Sequence, residues 1–160
     1  MSSVILSSFT AQAKIPRQVS DSGYIINYYK LNEEIATSGS INKQGIQWLS
    51  DNKFKTIIDL RTPKEGTKLE LKAVQKLKMA YINIPIEGGY ISEEQVSHFK
   101  ETLQRSQRPI LIHCASGNRV GALWAKYLLS KDVPKEEALK VGRKIGMSMY
   151  LEQKIDSEFP

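Results

Sequence analysis

The sequence predicts an α/β fold in which a central, mostly parallel sheet is flanked by helices. Short apolar segments alternate along the chain with longer segments whose apolar residues recur at helical spacing. One short segment, residues 109–114, is apolar almost throughout, which is typical of a strand with both faces covered. The chain has 160 residues, of which 41% are hydrophobic and 25% charged, so it suits one globular domain with a core.

In the first half of the chain, β-forming residues and turn signals outline three strands and a helix. Residues 23–29 are rich in Tyr and Ile, and residues 33–41 form a short strand that turns at Gly39. Apolar residues at helical spacing predict a helix over residues 42–53. The apolar segment 54–61 is the next predicted strand.

The second half continues the alternation. A helix is predicted over residues 64–78, with an inward stripe of Leu69, Ala73, Val74 and Leu77. A strand over residues 79–86 follows, and Gly88 and Gly89 close it. The next helix, residues 92–106, opens with Ser92 and Gln95 at capping-box spacing and carries Val96, Phe99 and Leu103 inward. After strand 109–114, helices are predicted over residues 119–131 and from Pro134 onward.

The predicted organisation is a single catalytic domain over residues 21–160, preceded by a flexible segment or signal remnant over residues 1–20. Ala11-Gln12-Ala13 has the pattern of a signal cleavage site, but no basic segment precedes it. The sequence therefore favours a cytoplasmic protein, with export as the alternative.

Composition narrows the possible functions. One cysteine excludes an internal disulfide framework and a multi-cysteine zinc site, and two histidines give no basis for a His-rich centre, so we expect no metal and no cofactor. The net charge of +6 is mild; a solvated, lysine-rich surface is its favoured explanation, and attraction of anionic ligands is the alternative. The sequence has no dense basic stripe with interleaved aromatics, so nucleic-acid binding is not predicted. No apolar run approaches the ~20 residues that a membrane span needs. The oligomeric state is not predicted.

The only cysteine lies where strand 109–114 ends and a helix follows. In open α/β sheets, ligands bind beyond the carboxyl ends of the strands. Gly117 permits a left-handed turn, so the amides after Cys114 can converge on one anion beside a helix N-terminus. Arg119 adds a planar pair of donors suited to phosphate. The same groups stabilise a thiolate, so the pattern favours a nucleophile over the alternative of a buried structural cysteine.

The segment His113-Cys114-Ala115-Ser116-Gly117-Asn118-Arg119 resembles the signature of cysteine-dependent protein tyrosine and dual-specificity phosphatases. The resemblance implies a phosphatase-like fold, a Cys114 nucleophile that forms a phosphocysteine, and phosphate binding by Arg119. It also implies that His113 supports the loop and that phosphate is bound by the loop residues Ala115, Ser116, Gly117 and Asn118.

Two features depart from the common signature. The loop has four residues between Cys114 and Arg119 where five are usual, and Val120 stands where a Ser or Thr is usual. The shorter loop, with segments spread over residues 31–130, resembles a group of small bacterial phosphatase-like domains. Some of these are described as sulfur transferases, and some are fused to metallo-β-lactamase-like hydrolases.

A phosphatase of this type also needs a general acid to protonate the leaving oxygen. Glu87 follows strand 79–86 at an interval before Cys114 that fits the family's acid, and Gly88 and Gly89 could let its loop close. Asp59 is the rival, since it also ends a strand, although a structural role paired with Arg61 or Arg119 is favoured for it.

Three functions remain open on the sequence. The favoured one is hydrolysis of a phosphomonoester, with a phosphorylated protein or a small phosphomonoester as substrate. The second is sulfur transfer through a Cys114 persulfide, because "IDLRTPKE" resembles the Asp-x-Arg…Glu segment of rhodanese-type transferases. The third is a non-catalytic phosphate-binding module.

Overall fold

The computed structural model describes Arg17–Gln18 and residues 23–160, and in this part of the chain it has a six-stranded sheet. The sheet has the order β1-β2-β3-β6-β4-β5. The last four strands in this order are mutually parallel, and β1 and β2 are antiparallel additions at one edge. The strands are β1 Arg17–Gln18, β2 Tyr29–Lys30, β3 Ile35–Ser38, β4 Thr56–Asp59, β5 Ala80–Asn83 and β6 Ile110–His113.

Helices cover both faces of the sheet, which confirms the predicted α/β architecture. They are α1 Lys43–Asp51, α2 Thr67–Lys76, α3 Glu93–Arg105, α4 Asn118–Leu129, α5 Lys135–Ile145 and α6 Met149–Glu158, with a short 3-10 helix at Pro63–Glu65. None of these helices is long and apolar enough to cross a lipid bilayer. The predicted segment 1–20 lies outside the described residues apart from β1.

Strand β6 lies at the centre of the parallel part of the sheet and separates two apolar cores. All four of its residues are buried, as the continuous apolar pattern predicts. Ile110 and Ile112 point into the larger core with α3 to α6, whereas Leu111 points into the smaller core with α1 and α2. This alternation follows from the two-residue period of a strand.

Three sequence predictions differ from the structure. The predicted strand at residues 23–29 is reduced to a single bridge at Ile25 and the start of β2. Leu69 was predicted to face the core, but it is 77% exposed and the neighbouring Glu70 is buried. Helix α6 was not predicted at all. By contrast, the capping box of α3 is confirmed, with the Ser92 hydroxyl accepting from the Gln95 amide.

Candidate active site

Cys114 follows directly after β6, at the carboxyl edge of the sheet. Its side chain is fully buried in the larger core. The Gly117 amide donates a hydrogen bond to Cys114 Sγ over 3.1 Å. The sulfur therefore lies inside the turn formed by the four residues that follow it, as the anion-loop interpretation of the sequence requires.

The loop ends in a helix N-terminus. Gly117 has a φ of 94°, in the left-handed region, and serves as the N-cap of α4. Helix α4 starts at Asn118, so the amides of its first turn have no partner within the helix. These amides and the helix dipole together favour an anion at this position.

Contacts from distant segments fix the loop on one side. The Ser40 amide donates to the carbonyl of Ala115 over 2.8 Å, and Asn27 Nδ2 donates to the carbonyl of Ser116 over 2.9 Å. Gly39 lies so close that a Cβ there would be 2.9 Å from the Ala115 oxygen. The turn after β3 therefore needs glycine at this position.

The other side of the loop is tied to the start of α6. Asn118 Oδ1 accepts a hydrogen bond from the Ser148 amide over 2.7 Å, and Ser148 in turn caps α6. With both sides anchored, the loop is held in one conformation, and the carbonyls of Ala115 and Ser116 are bonded to neighbouring segments. A loop fixed in this way beside a helix N-terminus is suited to holding an anion.

Arg119, in the first turn of α4, is held by a carboxylate across the site. Its Nη2 donates to Glu65 Oε1 over 2.6 Å, and its Nη1 donates to Glu65 Oε2 over 2.9 Å. Nη1 also donates to the Ile86 carbonyl over 3.2 Å. The hydrogen bonds to the Glu65 carboxylate raise the pKa of Arg119 against the opposing effect of burial, and a negative charge on Cys114 adds to the rise.

Glu65 is anchored in turn by its own segment. The amide and hydroxyl of Thr62 donate to its Oε2 over 2.7 and 3.0 Å in a capping box. The Arg119 guanidinium, helped by these donors, lowers the pKa of Glu65 to about 2. Glu65 is therefore ionised, and its two carboxylate oxygens orient the guanidinium.

Glu87 is next to the point where Arg119 contacts the chain. It directly follows Ile86, whose carbonyl Arg119 binds. The Glu87 side chain is exposed and, within residues 23–160, makes no hydrogen bond or ion pair. Gly88 and Gly89 follow it with φ values of 61° and 73°. The structure thus brings the segment of Glu87 to the site, while its carboxylate faces solvent.

Asp59 has a different position. Its carboxylate is fully buried and accepts hydrogen bonds from the amide, Nε and Nη2 of Arg61, at 2.8–3.2 Å, and from the Tyr81 hydroxyl at 2.5 Å. Burial alone would raise the pKa of Asp59, but Arg61, His113 and Tyr81 hold it below the ordinary value. A buried, ionised carboxylate surrounded by donors has no proton to give, so the geometry argues against Asp59 as the general acid.

His113 and Glu70 complete this buried network. His113 Nε2 lies 2.6 Å from Glu70 Oε1, and its Nδ1 lies 3.3 Å from the Cys114 carbonyl. Glu70 also binds Arg61. Asp59, Glu70 and His113 have ligand atoms close enough together to hold a metal ion, but the Arg61 guanidinium donates to both carboxylates and supplies the positive charge there.

The two groups of residues lie on opposite faces of the sheet. Cys114 belongs to the core of α3 to α6, whereas Asp59 and His113 point toward α2 and its Glu70. Because successive residues of a strand point to opposite faces, His113 supports the strand that carries Cys114 without facing the anion site.

Exposed apolar side chains lie in the segments that contact the loop or Arg119. Tyr24 and Ile26 precede Asn27 on one side of the loop, and Tyr150 follows Ser148 on the other. Tyr90 lies in the segment after Glu87, where Gly89 approaches Leu151 of α6. All four side chains are at least 45% exposed.

Sequence reasoning missed Glu65, Glu70 and Asn27. The spacing of Thr62 and Glu65 is that of a capping box, so a helix start at Thr62 was visible in the sequence. The hydrogen bonds that Arg119 donates to Glu65 were not visible in the sequence, because 54 positions separate the two residues. Glu70 was not singled out, because a charged residue is rarely buried without a partner.

Known proteins resemble this chain in sequence and in fold. A family model described as "DSP-PTPase phosphatase fused to NAD+ Kinase" matches residues 16–156. A probable chloroplastic NAD kinase 2 of Oryza sativa subsp. japonica is 34% identical over 100 residues, covering 56% of this chain and 10% of that protein. A beta-lactamase hydrolase-like protein of Xylella fastidiosa is 29% identical over 100 residues, covering 59% of this chain and 23% of that protein.

Among solved structures, P. aeruginosa TpbA in complex with pTyr has the same fold. It superposes with a TM-score of 0.72 at 19% identity, covering 91% of this chain and 90% of that chain. The chain spans between a tenth and a quarter of the length of the curated relatives given above.

Proposed function

Because this chain belongs to the family of DSP-PTPase phosphatase domains also found fused to NAD+ kinase, we propose that it hydrolyses phosphate monoesters through a phosphocysteine on Cys114. One observation carries the proposal: the amide of Gly117 points at Cys114 Sγ from 3.1 Å within a loop that ends in a helix N-terminus. Such a site stabilises both a thiolate and the oxygens of a tetrahedral phosphate.

The first step is in-line attack of the Cys114 thiolate on phosphorus. The P–S bond forms as the bond from phosphorus to the leaving oxygen breaks, and Glu87 gives that oxygen a proton. The loop amides of Ser116, Gly117 and Asn118 and the Arg119 guanidinium bind the equatorial oxygens, where charge is spread in the transition state.

The second step returns the enzyme to its starting state. Water attacks the phosphocysteine and gives a proton to the Glu87 carboxylate. The P–S bond then breaks, inorganic phosphate leaves and the thiolate is regenerated. With Val120 after Arg119, no hydroxyl at that position assists departure of the sulfur. We therefore expect this second step to limit the rate.

Exposed apolar side chains near the loop favour a phosphorylated protein segment as substrate. Tyr24, Ile26, Tyr90 and Tyr150 are exposed in the segments that adjoin the loop or Arg119, and aromatic side chains suit contact with a peptide or an aryl group. The complex of TpbA with pTyr agrees with this choice. A cytoplasmic location, as the sequence favours, would give access to such substrates.

A substrate panel tests the proposal. The purified protein is given a phosphotyrosine peptide, a phosphoserine peptide and a small aryl phosphate, and phosphate release is measured. We expect vanadate-sensitive release that Cys114→Ser abolishes, with the tyrosine peptide turned over best. Release that persists in Cys114→Ser would contradict the phosphocysteine route. Formation of thiocyanate from thiosulfate and cyanide, without phosphate release, would assign the site to sulfur transfer.

A further inference from the structure

A groove lies between α1 and α2, on the face of the sheet that does not carry Cys114. Two adjoining concavities of about 320 and 310 Å³ form it, and they share Lys43, Ile46, Leu69 and Ala73. We call this the α1–α2 groove, lined by Lys43, Ile46, Gln47, Leu69, Lys72, Ala73, Lys76 and Leu77 and, at its deep end, by Arg61 and Glu70.

The groove has an apolar floor and one prominent apolar wall. Ile46 is buried at its base, and Ala73 and Leu77 are partly exposed along it. Leu69 stands at its side with 77% of its surface exposed. A single exposed leucine is ordinary, but a concave surface that combines buried and exposed apolar side chains is typical of a binding site.

The rim of the groove is basic. Lys43 on α1 and Lys72 and Lys76 on α2 are exposed, and none forms an ion pair with any residue in the described part of the chain. The one carboxylate that lines the groove, Glu70, is already bound by Arg61 and His113. The groove therefore presents uncompensated positive charge around an apolar floor.

The shape fits a helix. Leu69 and Ala73 on α2 and Leu77, the residue that caps it, are spaced by four residues and form one ridge, about 12 Å long at ~1.5 Å per residue. Two turns of a partner helix with apolar anchors at i, i+4 and i+7 match this length. A second copy of the chain fits less well, because both copies carry a net charge of +6.

From this shape and charge we infer that the α1–α2 groove binds an acidic amphipathic helix of a partner protein. The apolar face of that helix packs against Leu69, Ala73 and Ile46, and its flanking carboxylates face the three lysines. Leu69 is the central anchor, because it has the most apolar surface to lose from water. The inference does not rest on the proposed function, since Cys114 takes no part in it.

Fluorescence anisotropy with a labelled model peptide tests the inference. The probe is a capped helix of about four turns with leucines at i, i+4 and i+7 and glutamates on its other face. We expect saturable micromolar binding to the wild type and, equally, to Cys114→Ser. Leu69→Ser should weaken binding roughly tenfold, as should Lys72→Gln combined with Lys76→Gln. Added salt should weaken only the part of the binding affinity that the lysine charges contribute, because salt screens exposed charges.

Matched controls separate this site from general stickiness. Met149→Ser removes an equally prominent apolar side chain, 75% exposed, from α6 and should leave binding unchanged. A peptide with glutamines in place of the glutamates should bind the wild type at least tenfold more weakly.

Several results would overturn the inference. The first is binding of the glutamine peptide as tight as that of the acidic peptide. The second is a loss of binding in Met149→Ser as large as that in Leu69→Ser. The third is the absence of saturable binding of the acidic peptide. Dimerisation of the protein alone that Leu69→Ser abolishes would assign the groove to a second copy. Co-sedimentation with phosphatidylglycerol vesicles that depends on Leu69, without peptide binding, would assign it to a membrane surface.

Discussion

Glu65 binds Arg119 through both terminal nitrogens of the guanidinium, with Nη2 2.6 Å from Oε1 and Nη1 2.9 Å from Oε2. A guanidinium has a second pair of parallel donors, on the edge shared by Nε and Nη2. Glu65 does not use that edge. The pairing thus fixes the plane of Arg119 and leaves the Nε–Nη2 edge available for the phosphate of the proposed reaction.

Glu65→Gln should lower kcat/KM by roughly 10- to 100-fold, because a misoriented guanidinium no longer matches the transition state. The amide offers one acceptor oxygen to Arg119 where the carboxylate offers two. Steady-state kinetics on the aryl phosphate measure the effect, with the exposed Glu93→Gln on α3 as control. An increase in activity would mean that Glu65 competes with substrate for Arg119.

Arg119→Lys should also be severe, although the charge is kept. Lysine lacks the planar pair of donors, and its single ammonium cannot bind Glu65 and phosphate in the same geometry. We expect kcat/KM to fall by ~10²-fold or more, equivalent to about 3 kcal/mol of transition-state stabilisation. Near-normal turnover in this variant would assign Arg119 a purely structural role.

Glu87→Gln tests the proposed general acid through the leaving group. The variant should lose activity mainly on an ester whose leaving group is a poor one, because a good leaving group departs without a proton. The basic limb of the pH–rate profile should disappear as well. Equal activity of the variant on both esters would exclude Glu87 as the acid.

Asp59→Asn should act on stability and not on leaving-group dependence. The substitution leaves Arg61 buried beside one fewer charge, and the unfolding free energy should fall by ~2–4 kcal/mol. Urea denaturation measures this, with the exposed Asp51→Asn on α1 as control. A leaving-group effect in Asp59→Asn with unchanged stability would pass the role of acid to Asp59.

The pairing of Glu65 with Arg119 also predicts a pH dependence of stability. The pKa of Glu65 is lowered from 4.5 to about 2 in the folded protein. The stabilisation is therefore complete above the unfolded value and is lost as the pH falls from 4.5 through 2. The difference in unfolding free energy between wild type and Glu65→Gln should shrink over this range. A difference that stays constant with pH would contradict the assignment.

The sequence was most informative where the determinants are local. The order of apolar strand, small-residue loop and helix around Cys114 predicts the anion loop, because each part is encoded by adjacent residues. Leu69 was misassigned because apolar and charged residues at 69 and 70 fit two helix faces almost equally well. Burial of Glu70 is decided by Arg61 and His113, which the chain brings to it from other elements.

The supports of the loop lie beyond the reach of sequence patterns for the same reason. The bond from Asn27 to the carbonyl of Ser116 joins residues 89 positions apart. Nothing in the local sequence around Asn27 specifies that partner. For Asp59 the sequence favours a structural role paired with Arg61 or Arg119, and the structure pairs it with Arg61, which lies only two positions away.

The anchoring of the loop by Asn27, Ser40 and Ser148 has a practical consequence. A receptor whose shape is fixed in advance loses little conformational entropy when its ligand binds. Removing the nucleophile should therefore leave an intact oxyanion receptor, and Cys114→Ser becomes a reagent for capturing phosphorylated molecules from a mixture. Because the loop is rigid, its affinity for tetrahedral oxyanions should depend on their size. Oxyanions with longer bonds, such as tungstate, should bind with an affinity set by how well they fit a loop that does not expand.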